Sequence, residues 1–117
     1  MAKNNDMNQK LRVWWNPQLG ASNTMLIPVT SVEEGKKILD LLAAYDCFLM
    51  NNHIRGDYCN TGGLEMWDEK SQEWNDWECE TDDNHYSNVD EYCEEVSPQS
   101  ELLKDFSEVL FSQVRFE

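Results

Sequence analysis

No apolar run in these 117 residues approaches the roughly 18 needed to cross a bilayer, and the opening MAKNNDMNQK lacks the apolar centre of a secretory signal. The expectation is a soluble, intracellular protein. Chelating spacings are missing as well: Cys47, Cys59, Cys79, Cys93, His53 and His85 form no CxxC or HxxxH pair, so no metal is expected. Without an export signal, the reducing cytosol predicts free thiols. Asp82, Asn84, Ser87 and Asp90 outline a calcium loop only in part, because Ser87 stands where the turn glycine belongs and Cys93 where the bidentate glutamate belongs. No catalytic pattern is present either. Gly56 breaks the helical face that would join His53 to Asp57, and Cys59 has no recognisable signature around it. The sequence predicts a protein that binds, with no cofactor and no reaction of its own.

Positive charge is the scarcest commodity. Residues 1–56 carry six Lys/Arg and five Asp/Glu, whereas residues 57–117 carry three and eighteen. Between Glu65 and Glu95 stand thirteen carboxylates and a single cation, Lys70. The net charge of −14 disfavours free nucleic acid and anionic membranes as partners and favours a basic protein surface. Trp67, Trp74, Trp77, Tyr86 and Tyr92 are interleaved with the acids, giving contact area that a purely solvating tail lacks.

Local patterning predicts one α+β domain over residues 11–117 behind a flexible leader, 1–10. LRVWW, with its Val and two Trp, reads as a strand, QLGASN as a turn, and MLIPVT as a second strand that Pro28 confines to an edge or a bulge. Ser31 and Glu34 form a capping box that starts a helix, with Val32, Ile38, Leu39, Leu42, Ala43 and Tyr45 as its apolar stripe. Residues 47–64 read as a structured loop rich in glycine. GLEMWD and EWNDWE then pair as a second hairpin through EKSQ, residues 79–96 form an acidic loop, and Ser97-Pro98 opens a C-terminal helix over 98–115. The architecture is thus ββαββ, two antiparallel hairpins making a small sheet with one helix across a face, plus the C-terminal helix. The apolar face of that last helix suits packing on the domain or a homodimer seam.

Acidic side chains alternating along a strand repeat every ~6.6 Å, close to the charge spacing of a nucleic-acid backbone. Asp76, Glu78, Glu80, Asp82, Asp83, Glu91, Glu94 and Glu95 are the candidates for such mimicry, with Trp74 and Trp77 as anchors. The competing reading is a solvated, solubilising surface.

Trp14-Trp15 with Pro17-Gln18, then Tyr45-Asp46 closing the helix, then Asp57, Tyr58, Asn60, Gly62, Gly63 and Leu64 resemble a group of small acidic phage-encoded proteins labelled superinfection exclusion or immunity proteins. The likeness runs from about Leu11 to Glu80. It implies a phage protein acting in the host bacterial cytoplasm. The helical stretch from Ser97 to Glu117 departs from that pattern. The expected function is a phage counter-defence inhibitor of anti-CRISPR type that blocks the basic nucleic-acid groove of a bacterial defence effector. The alternative is a superinfection-exclusion protein that meets a host protein through the C-terminal helix or loop 47–64.

Overall fold

Strict alternation organises the first strand, β1 (Leu11–Asn16): Leu11, Val13 and Trp15 are buried while Arg12, Trp14 and Asn16 face the other way. A computed structural model describes residues 10–17, 24–52 and 61–112. Residues 1–9, 18–23, 53–60 and 113–117, on which the expected leader, the expected turn and much of the expected 47–64 loop fall, lie outside the described residues. β1 is the second strand of a four-stranded antiparallel sheet in the order β2-β1-β3-β4, with β2 spanning Met25–Val29, β3 Thr61–Asp68 and β4 Glu73–Asp76. Pro28 is accommodated because β2 is an edge strand, where a missing amide breaks no ladder on its outer side.

The β3–β4 hairpin turns through Glu69–Gln72. Asp68 Oδ1 accepts from the Lys70 amide at 3.0 Å, and its carbonyl accepts from the Gln72 amide at 2.8 Å. Gln72 sits at φ 56, in the left-handed region. Hydrogen bonds from Ser71 and from the Lys70 amide hold the exposed Asp68 carboxyl below its ordinary range.

Helix α1 (Val32–Asn51) starts where the capping box places it, with Ser31 Oγ accepting from the Glu34 amide at 3.0 Å. Glu34 reaches one residue further back than a standard box: Oε1 accepts from the Thr30 amide at 2.6 Å and the Thr30 hydroxyl at 2.8 Å, which lowers its pKa. The helix does not stop at Tyr45-Asp46. Cys47, Phe48, Leu49 and Met50, expected in a loop, extend it to Asn51 because an unbroken apolar run offers no cap before the polar Asn51-Asn52 pair. α1 lies on the face carrying Leu11, Val13 and Leu64, and the core joins these to Val29, Trp77 and Tyr86.

The acidic stretch 79–96, expected to be a loop, is folded. It forms a two-stranded hairpin of β5 (Cys79–Glu80) and β6 (His85–Tyr86), then a short helix α2 (Val89–Glu95) capped by Asn88, whose Oδ1 accepts from the Glu91 amide at 3.1 Å. Two-residue strands are too short to show a period, and the hairpin is held by ring packing: Trp77–Tyr92 centroids lie 5.4 Å apart and Tyr86–Tyr92 6.0 Å, both edge-on. Helix α3 (Ser100–Ser112) begins two residues later than Pro98, which lies in a turn. Ser97 still caps this start, its Oγ accepting from the Gln99 amide at 3.0 Å and donating to Glu33 Oε2 at 2.6 Å. That second bond ties the start of α3 to the start of α1. α2 and α3 pack on α1, so every helix lies on one side of the large sheet.

Candidate functional site

Because β3 pairs with β1 in the register Arg12↔Glu65, Trp14↔Gly63 and Trp15↔Gly62, two of the three segments that carry the phage-protein resemblance meet as cross-strand neighbours. A Cβ on Gly62 would stand 2.4 Å from a ring carbon of Trp15, and one on Gly63 2.9 Å from Trp14 Nε1. Each indole covers a bare glycine backbone, Trp15 on the helix side and Trp14 on the open side.

The open face of the sheet carries Arg12, Trp14, Glu65, Trp67, Trp74 and Asp76. Arg12 Nε donates to Glu65 Oε1 at 2.8 Å while its guanidinium sits 4.1 Å from the Trp74 ring centre. Trp67 and Trp74 meet edge-on at 5.5 Å, and Lys10 lies 5.7 Å from the Trp67 ring. Trp74 is therefore half-buried among its own neighbours.

Trp77 is a correction to the expected anchors. It is 5% exposed, in the core beside Leu64, because three residues along a strand reverse the side-chain direction relative to Trp74. The pair does not share a surface. The eight candidate carboxylates are all exposed, but they divide. Asp76 is on the open face of the sheet; Glu78 and Glu80 flank His85, at 3.0 Å from Nε2 and 3.5 Å from Nδ1; Asp82 and Asp83 form the tip of the β5–β6 hairpin; Glu91, Glu94 and Glu95 ride on α2, among the helices. Glu95 accepts from the Tyr86 hydroxyl at 2.9 Å, which raises the Tyr86 pKa. This arrangement is a dispersed negative field and not one ruled row of charges.

A second surface went unread in the sequence. Tyr45, assigned to the buried stripe of α1, is 59% exposed, and with Leu41 and Phe48 it forms an apolar row at helical spacing on the side away from the sheet. The signal was present: α1 carries apolar residues on two faces, more than one core contact needs. On α3, Leu103 is buried and Phe106 packs beneath Lys37, whose Nζ is 5.4 Å from the ring. Leu102 and Val109, one edge of the same amphipathic stripe, remain exposed.

The remaining sequence candidates hold no assembled chemistry. Cys47 and Cys93 are free thiols; Cys93 is buried, and burial pushes its pKa up to about 12. His53, Asp57 and Cys59 lie outside the described residues. Among the described residues no three His, Cys, Asp or Glu side chains converge as a metal site, and no helix is long and apolar enough to cross a membrane.

No solved structure matches the chain. A protein of Salmonella phage P22 named superinfection exclusion protein is 38% identical over 104 residues, an alignment covering 78% of this chain and 96% of that relative. The family described as superinfection exclusion gene product 17 matches residues 10–98, from just before β1 to just before α3. The matched stretch spans the sheet, α1, the indole-covered glycines and the acidic hairpin, and the chain belongs to the superinfection exclusion gene product 17 family.

Proposed function

We propose that this phage superinfection exclusion protein acts as a binding protein inside the host bacterium, docking on a host protein through the exposed apolar rows of α1 and α3. The observation that carries the reading is the Leu41, Tyr45 and Phe48 row, which stands in solvent on a helix whose opposite face already fills the core. Leu102 and Val109 add apolar area on the neighbouring helix. Exposed apolar rows of this kind are a common mark of a protein-binding face. Binding alone accounts for exclusion, and no reaction is assigned.

Mimicry of nucleic acid, directed at a defence effector, draws less support, because Asp76 sits on the open face of the sheet while Glu91, Glu94 and Glu95 ride on α2, among the helices. One assay separates the two readings. Cells expressing the protein are challenged with a second phage and the efficiency of plating is measured for Leu41→Asp/Phe48→Asp and for Glu91→Lys/Glu94→Lys/Glu95→Lys. The helical reading expects the first variant to restore plating by about tenfold or more, the factor that ~1.4 kcal/mol of lost binding produces. The second variant should still exclude. The reverse pattern, with both variants folded by circular dichroism, would establish mimicry instead.

A further inference from the structure

β3 is longer than the strand that covers its outer edge. β4 pairs only with Glu65–Asp68, and the last ladder contact is the Trp77 amide donating to the Leu64 carbonyl at 3.0 Å. Leu64 therefore turns its carbonyl away from β1, and so does Gly62, two residues earlier, but β4 has no residue opposite Gly62. Among the described residues nothing pairs with this edge at Gly62, which lines a cleft of about 600 Å³ between β3, α1 and the start of α2. Its apolar lining includes Trp15, Trp77, Leu39 and Ala43, and its polar lining includes Asp40, Asp76 and Asp90. Lys36 bonds Asp40 at 2.9 Å and Asp90 at 3.0 Å, so one ammonium is shared by two carboxylates and this side of the cleft keeps a net negative charge.

We propose that this cleft seats an arginine or lysine of an extended segment in a partner protein, with the segment's backbone pairing to the open β3 edge at Gly62. A residue placed opposite Gly62 projects to the same side of the sheet as Trp15, toward α1. Its aliphatic stem then runs over Leu39 and Ala43 while the cationic head reaches Asp40 and Asp90 beside the indoles. The chain shows the same preference internally, stacking Arg12 on Trp74. Strand addition supplies affinity through main-chain bonds and the pocket supplies selectivity for the cation. The partner is thus defined by chemistry, a basic β-forming peptide, and the site is independent of the helical contact proposed above.

The test uses the purified full chain and a blocked Val-Arg-Val tripeptide, followed by amide and indole resonances in two-dimensional NMR. Saturable shifts at Gly62, Gly63 and the Trp15 and Trp77 indoles are expected at millimolar peptide. Replacing arginine by neutral citrulline should weaken binding about tenfold, N-methylation of the arginine amide should abolish it, and Asp90→Asn should weaken it about threefold. Shifts confined to α1 and α3, equal binding of the citrulline peptide, or no shift at all would each overturn the proposal. Shifts at Gly62 on simple dilution would overturn it too, by assigning the edge to a second copy. None of these readings involves phage exclusion, so failure here leaves the functional proposal standing.

Discussion

Gly62→Ala ought to be a mild change in a strand, since alanine loses less conformational freedom than glycine on folding and gains about 0.5–1 kcal/mol on that account. The structure reverses that sign. The added methyl would stand 2.4 Å from Trp15 Cε3 and 2.8 Å from the Trp14 carbonyl oxygen. Trp15 is 6% exposed and packed over the glycine, and the carbonyl belongs to the paired backbone of β1. The carbonyl cannot retreat without disturbing the sheet, and the indole can do so only by giving up its packing over Gly62. Overpacking of a filled core costs about 1–3 kcal/mol, and a backbone contact at 2.8 Å beside a ring contact at 2.4 Å puts this site at the upper end. The net loss is about 2 kcal/mol, equivalent to a fall in Tm of roughly 8 °C for a chain of this size.

Thermal melts and urea titrations of Gly62→Ala measure that loss directly. A second pair of variants assigns it. Trp15→Leu removes the ring that the methyl strikes, so the double variant Trp15→Leu/Gly62→Ala should be more stable than the two single losses added together, by about 1 kcal/mol. An unchanged or raised Tm for Gly62→Ala refutes the close-approach argument, as does strict additivity in the double variant.

Two further outcomes follow from the helices. Ser97→Ala should cost about 1–2 kcal/mol in urea unfolding, because it removes the cap bond to the Gln99 amide and the hydroxyl that donates to Glu33 across α1 and α3. Thr at this position should recover most of the loss. Cys93, with its thiol raised from an ordinary value near 9.0 to about 12, binds its proton more tightly folded than unfolded. Its contribution to stability is therefore complete below pH 9 and is lost as pH climbs from there toward 12, a decline that Cys93→Ala should lessen in melts across that range. Denaturant should be needed before iodoacetamide alkylates Cys93, and rapid labelling of that thiol in native protein would contradict its burial.

What could be read from the sequence were the features whose signals span few residues. The Ser31 cap, the edge position imposed by Pro28 and the β3–β4 hairpin each rest on a local rule, and each appears in the α+β fold. The end of α1 was missed because no glycine or proline interrupts Cys47–Met50, so the boundary depends on where the polar Asn pair begins. α2 and the β5–β6 hairpin were missed for a different reason. Their residues look like a solvated acidic run, and what folds them is the Trp77, Tyr86 and Tyr92 packing, assembled from positions up to fifteen residues apart.

The same reasoning explains why a dense run of acids did not translate into one charged face. Linear density counts carboxylates, whereas a docking face requires that they point the same way. Between Asp76 and Glu95 the chain changes direction three times, at Trp77 into the core, at Asp82-Asp83 through the hairpin tip and at Asn88 into α2. Each change rotates the next acids to another side, so the field they produce is long-ranged and diffuse. Such a field speeds encounter with a basic partner without dictating how it docks. The docking geometry must then come from surfaces with shape, and the described residues offer two: the apolar row of Leu41, Tyr45 and Phe48, and the cleft where β3 outruns β4.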